Sequence, residues 1–345
     1  MKTFAIAAAL ILSAAPLVAQ AADKPVIIGY LPAFKGPMMA HVEAVNLAQL
    51  THLNLAFINP DPDGTVVKGG QMSCMDTHGG PIVQTADIGA IVARAHAAKV
   101  KVLASLGGGQ LPLCAGNWTA LLAPDKRSLL VGHLVQMVDD LGLDGLDIDL
   151  EWNVLTAIDQ AGEYTPFIKD LNKALKARGK ILTCATASHP GGMVPEASVR
   201  YFTYINIMAY DFIGNGWGTA GDEHSSLDQA KADIATWQRM GAKKSQIVLG
   251  VPFYGYGFNG YNPGYNFRDI VAIFGESAAE NDVVGTRCAG CQYITYNGRP
   301  TIRAKTELAK SAGTGVMIWE LTADAPAPDS LLQAVYESLN PQVAQ

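Results

Sequence analysis

The sequence predicts an α/β chain closed into a (β/α)8 barrel, with a short excursion between the seventh and eighth strands. Three observations predict it. Short apolar, β-prone runs recur along the chain, segments with apolar residues at three- and four-residue spacing separate most of them, and no Pro- or Ser-rich linker divides the series. Strands alternating with helices call for parallel pairing through right-handed crossovers, and eight such units close on themselves. An open, doubly wound sheet is the competing arrangement.

The elements follow in chain order. Lys2, an apolar run from Phe4 to Leu12 and small residues ending Ala19-Gln20-Ala21 read as a secretory signal cleaved after Ala21. Residues 22–345 then form one catalytic domain. Strands are expected at 26–31, 53–58, 100–106, 145–151, 181–186, 204–208, 247–252 and 315–319. Helical spacing marks 88–99, 128–141, 164–178, 227–240 and 331–339. The stretch between Tyr254 and Gly315 contains the Gly-, Tyr- and Asn-rich residues 256–267. It is read as a long loop with some structure of its own, an excursion over about 256–302, on the face where barrel active sites open.

Composition excludes several classes. Apolar residues make up 49% and charged residues 16%, which excludes a disordered, collagen-like or coiled-coil chain. A net charge of −6 without a basic run argues against nucleic-acid or anionic-membrane binding. No stretch after the signal has the roughly 20 apolar residues of a membrane span. Export permits disulfides among Cys74, Cys114, Cys184, Cys288 and Cys291. Cys184 lies in an apolar run and is expected free. Cys288-Ala289-Gly290-Cys291 suits a local disulfide in a Gly-rich loop, which leaves Cys74 with Cys114.

The most informative segment is Asp144-Gly145-Leu146-Asp147-Ile148-Asp149-Leu150-Glu151-Trp152. Alternate side chains on a strand face opposite ways, so Leu146, Ile148 and Leu150 pack outward while Asp147, Asp149 and Glu151 point into the barrel. Three carboxylates about 6–7 Å apart along one strand are costly to bury ionised, so the set retains protons and titrates as a unit. Glu151 is nearest the strand's C-terminal end and has the longest reach, which makes it the natural proton donor. A divalent-metal site is the alternative use of three carboxylates.

This strand resembles the D-G-x-D-x-D-x-E signature of the glycoside hydrolase family 18 chitinases, here of the bacterial, secreted kind. Other segments match the family in order. Ser105-Leu106-Gly107-Gly108 resembles its S-x-G-G, and Met208-Ala209-Tyr210-Asp211 its M-x-Y-D. Segments 250–255 and 315–320 resemble its seventh and eighth strands. The resemblance runs from Gly29-Tyr30 to about Asp324. It implies hydrolysis of β-1,4 bonds between N-acetylglucosamine units of chitin or chitooligosaccharides. The 2-acetamido oxygen attacks, an oxazolinium ion forms and configuration is retained, an exception to the two-carboxylate scheme.

By the same resemblance, Glu151 is general acid and then base. Asp149 orients the acetamido group and offsets positive charge, Asp147 shares a proton with Asp149, and Ser105 hydrogen-bonds to Asp147. Tyr210 bonds the acetamido carbonyl, Asp211 accepts from a sugar hydroxyl, and Trp319 forms the floor under the reacting sugar. Met208, Tyr30, Phe57 and Tyr254 are expected to line the same pocket, and Trp118, Trp152 and Trp217 to serve neighbouring sugars. His224 is read as a solvated loop histidine. No cofactor, metal or partner macromolecule beyond the glycan is implied, and a monomer is expected.

The chain departs from many members in having Leu150 before Glu151 and Trp152-Asn153 after it, where an aromatic residue and Tyr-Pro are usual. The excursion is also short for the large insert of some members, which implies a shallower groove and endo-type cutting. The alternatives are an endo-β-N-acetylglucosaminidase on N-glycan cores, a catalytically silent chitin-binding lectin, which Glu151 argues against, and a metal-dependent phosphodiesterase, which would need more ligands than Asp211 and Glu320.

Overall fold

The computed structural model describes residues 25–342, so the signal-like segment lies outside the described residues. Eight barrel strands run in chain order: β1 (Val26–Pro32), β2 (His52–Asn59), β3 (Lys101–Gly108), β4 (Gly145–Leu150), β5 (Ile181–Thr186), β6 (Tyr204–Ile207), β7 (Ile247–Pro252) and β8 (Gly315–Trp319). Each pairs in parallel with its sequence neighbour. The β1–β8 pairing closes the ring. The closed barrel expected from the alternation is therefore present.

Around it lie α1 (Met38–Ala44), α2 (Thr85–Ala97), α3 (Arg127–Asp140), α4 (Tyr164–Lys176), α5 (Leu227–Arg239), α6 (Arg299–Ala312) and α7 (Leu331–Leu339). The β5–β6 crossover has only the 3-10 turn Glu196–Tyr201. The helices form because their apolar residues fall on one stripe. In α4, Tyr164, Phe167, Ile168, Leu171 and Leu175 are buried at three- and four-residue spacing. Serine side chains start two of them, Ser226 accepting from the Gln229 N–H and Ser330 from the Gln333 N–H. Such caps contribute about 1 kcal/mol each.

Outward strand residues such as Leu146, Ile148, Leu150, Ile205 and Ile207 join the main core between barrel and helices. The barrel interior is different. Near the ends where the chain leaves the strands it holds a small cluster that includes Tyr30, Phe57, Tyr210 and Met317. Beside it sit buried Ser105, Asp147, Asp149, Thr183 and Asn206. A disulfide joins Cys74 to Cys114, tying the segment after β2 to the loop after β3, and another joins Cys288 to Cys291; Cys184 is buried and free.

Five described helices were not legible from periodicity: α1, α6 and shorter ones over Trp118–Leu121, Trp152–Gln160 and Phe267–Phe274. The reason is plain in α6, whose buried face carries Lys305 and Thr306 between Ile302 and Ala309, so its apolar stripe is broken. The excursion is more ordered than a loop. Tyr254–Phe258 pairs antiparallel with Tyr265–Asn266 on one side and Tyr293–Thr295 on the other, and Val283–Gly285 adds at the edge. The helix Phe267–Phe274 follows Tyr265–Asn266.

Candidate active site

Strand β4 delivers its acidic residues to the barrel interior as the alternation requires. Asp147 is fully buried and accepts four hydrogen bonds: Tyr30 Oη at 2.6 Å and Ser105 Oγ at 2.8 Å on Oδ2, Thr183 Oγ1 at 2.5 Å and Asn206 Nδ2 at 3.2 Å on Oδ1. Ser105 and Thr183 stand directly opposite Asp147 in the β3 and β5 registers. Four strands thus converge on one carboxylate.

Asp149 differs. It is 3% exposed, and its Oδ1 has no hydrogen-bond partner among the described residues. Burial, then the charges of Glu151 and Asp147, push its carboxyl well above the usual range. Burial also raises Asp147, but donors from Thr183, Tyr30, Ser105 and Asn206 oppose that rise. Of the two buried carboxyls, Asp149 is thus the one held more strongly toward its protonated form.

β4 ends at Leu150, so Glu151 is not a strand residue; it caps the helix Trp152–Gln160 with an extended backbone. Its carboxyl is pushed up to about 7, first by burial and then by the charge of Asp211. An acid of that strength is half protonated near neutrality, where general acid catalysis works best.

The two glycines after Leu106 have a steric reason. A Cβ on Gly107 would lie 2.5 Å from the Asp149 carbonyl oxygen, and one on Gly108 would lie 2.6 Å from the Phe57 ring; both have positive φ. Any side chain there would push β3 away from Asp149 and from the aromatic floor. That floor is Trp319, stacked on Phe57 at 5.5 Å and 18° with Tyr30 edge-on at 5.6 Å.

Tyr210 is 9% exposed, and among the described residues its hydroxyl donates only to Met317 Sδ at 3.9 Å, a weak acceptor. Burial raises its pKa, so it remains a donor. Asp211 has φ +65°, and its Oδ1 accepts from Tyr254 Oη at 2.5 Å and Tyr256 Oη at 3.0 Å. A cavity of about 670 Å³ opens against these groups, lined among others by Glu151, Met208, Tyr210, Asp211, Trp152 and Trp217. Trp152 and Trp217 are about half exposed. Trp152 stacks on His189 at 5.3 Å, and Trp217 Nε1 donates to the Asp211 carbonyl at 2.9 Å.

Two expectations are corrected. Trp118 is 2% exposed and donates through Nε1 to Asn59 Oδ1 at 2.9 Å, so it is a packed structural residue with no face for a sugar. His224 is fully buried, with Nδ1 3.8 Å from Asp211 Oδ1, and burial lowers its pKa. It is no solvated loop residue. Tyr30 and Ser105 reach the site as donors to Asp147 at the bottom of the interior, and Tyr254 as a donor to Asp211.

Thr183, Asn206, His189 and Tyr256 were not anticipated. The first two carried a signal. In Leu182-Thr183-Cys184 and Ile205-Asn206-Ile207 the polar residue sits between outward apolar ones, the same alternation that located Asp147. Among the described residues, no group of three or more His, Cys, Asp or Glu is placed to hold a metal ion. Both Asp147 oxygens are already taken by the four donors.

Comparison with known proteins agrees with this geometry. The family profile of the glycosyl hydrolases family 18 matches residues 26–324. A family 18 chitinase from the chitin utilization locus of Flavobacterium johnsoniae superimposes with a TM-score of 0.78 at 31% identity, covering 93% of this chain and 96% of that one. A chitinase of Bacteroides thetaiotaomicron superimposes at 0.76 with 28% identity, over 94% and 99%. Among curated relatives, a probable chitinase of Drosophila melanogaster is 26% identical over 63% of this chain, which spans only 12% of that protein's length.

Proposed function

Because the chain belongs to glycosyl hydrolase family 18, we propose that it is an exported chitinase cutting β-1,4 bonds between N-acetylglucosamine units with retention. The observation that carries this reading is the contrast among three carboxyls, two on β4 and one just past its end. Asp147 is saturated with donors, Asp149 has a buried oxygen without one, and Glu151 is a weak acid at the cavity.

In this reading the reacting sugar lies on Trp319, and its acetamido N–H supplies the partner that Asp149 Oδ1 lacks. The Tyr210 hydroxyl donates to the acetamido carbonyl and holds its oxygen beneath the anomeric carbon. Glu151 donates its proton to the glycosidic oxygen. The acetamido oxygen bonds to the anomeric carbon as the C–O bond breaks, and the ring becomes a cationic oxazolinium. Asp149 offsets that charge as its proton passes to Asp147, where the Ser105 or Thr183 hydroxyl turns from donor to acceptor to receive it, which leaves the negative charge on Asp149 beside the oxazolinium. Glu151, now ionised, takes a proton from water as the water opens the oxazolinium. Each face of the anomeric carbon is used once in each step, so the β configuration is restored.

Trp152 and Trp217 offer apolar faces to sugars beyond the scissile bond. Export rests on the signal-like N-terminus and the disulfides; no described helix is long and apolar enough to cross a membrane. The test is release of the fluorophore from chitobioside and chitotrioside substrates with EDTA present. Hydrolysis of both is expected. Binding of chitooligosaccharide without release would favour the lectin reading. Release from a high-mannose glycoprotein alone would favour the glycan-core endo-β-N-acetylglucosaminidase.

A further inference from the structure

Lys305 is fully buried on the inner face of α6, outside the barrel, where apolar side chains normally pack. Isolated buried charges are costly, so such a residue needs a reason. Its Nζ donates to the Ser225 carbonyl at 2.7 Å, Ser225 Oγ at 2.6 Å and Asn297 Oδ1 at 2.7 Å. Asn297 Nδ2 returns to the Ser225 carbonyl at 2.9 Å. Both groups therefore grip one residue of the loop before α5.

That loop holds the sugar-facing segment from behind. Ser225 Oγ donates to the Ala209 carbonyl at 2.6 Å, and the Phe212 N–H donates to the His224 carbonyl at 3.0 Å. Ala209 and Phe212 flank Tyr210 and Asp211, so the two bonds bracket them. Between the brackets Asp211 keeps φ +65°, a conformation that persists only where its surroundings over-determine it. His224, beside Ser225, packs against the Tyr254 and Tyr256 rings whose hydroxyls donate to Asp211.

We propose that Lys305 is a positioning residue for the hydrolytic site, acting through Ser225 to hold the backbone of Tyr210 and Asp211. The inference rests on the chitinase reading above. It does not place Lys305 near substrate: the lysine fixes Ser225, Ser225 fixes Ala209, and Ala209 fixes the register of the two side chains that meet the sugar.

The test compares Lys305→Met, Ser225→Ala, the double variant and Asp211→Asn in kcat/KM on the fluorogenic chitotrioside between pH 5 and 9. Each protein is first shown to be folded by circular dichroism and its melting transition. Misplacing reacting groups by about 1 Å can cost around a hundredfold, so Lys305→Met is expected to lose about tenfold or more per folded molecule. Ser225→Ala serves if Lys305→Met does not fold, since it removes the link without touching α6. The double variant should lose no more than the worse single one.

The pH profile separates positioning from mere stability. Asp211 raises the Glu151 pKa. Asp211→Asn should therefore move the alkaline limb of kcat/KM to lower pH, and Lys305→Met should move it the same way. An unchanged limb with unchanged kcat/KM, a limb moved upward, or losses that simply add would each overturn the proposal. A wild-type protein that releases no fluorophore would instead defeat the chitinase reading, a separate result.

Discussion

Glu151→Gln is expected to lower kcat/KM on chitotrioside by about 10²–10⁴-fold, the usual contribution of a positioned general acid. Gln keeps the size and the cavity wall but carries no proton to give the leaving oxygen. The same assignment fixes the pH dependence of the wild type. Glu151 must be protonated to act and its pKa is pushed up to about 7, so kcat/KM falls as pH rises through about 7. Stability follows the same sign. A carboxyl whose folded pKa lies above its unfolded value makes the folded state less stable as pH rises between the two. Removing it should make the melting temperature of Glu151→Gln gain on the wild type as pH rises from the ordinary glutamate range to about 7, and hold that gain above it. Calorimetry across pH and initial rates check both. Retention of wild-type rates by the variant would remove Glu151 from its role.

The second large effect belongs to Asp149. Asp149→Asn is expected to lower kcat by about 10²–10³-fold, the range seen when one group stabilising transition-state charge is removed. Asn still fills the buried space and can still meet an acetamido N–H through its oxygen. It cannot become negative as the oxazolinium forms. The loss should therefore fall mainly on kcat, with KM changed little. Rates at saturating chitotrioside measure it. A change confined to KM would assign Asp149 to binding alone.

How much of this was legible in the sequence depends on which physical signal each residue carried. Alternation placed Leu146, Ile148 and Leu150 outward and Asp147 and Asp149 inward, and the barrel has them so. The same rule, applied to Thr183 and Asn206, would have found two of the donors that complete Asp147. Helix α6 was hidden because Lys305 and Thr306 interrupt its buried face. The fates of Trp118 and His224 depend on which loop folds over which, a tertiary property that no local spacing encodes. Trp118 lies under the barrel rim on Asn59, and His224 is sealed beneath Tyr254 and Tyr256. Tyr256 reaches Asp211 only because the excursion folds as a sheet starting at Tyr254.

The central claim is that the substrate's own acetamido group is the nucleophile, held by Asp149 and Tyr210 and triggered by Glu151. Digestion of partially N-deacetylated chitin tests it most directly, with the sugar at each newly formed reducing end identified by mass spectrometry and ¹H NMR. The account predicts N-acetylglucosamine at every new reducing end, because a glucosamine there has no carbonyl to attack. Glucosamine at new reducing ends in proportion to its abundance in the polymer would contradict it.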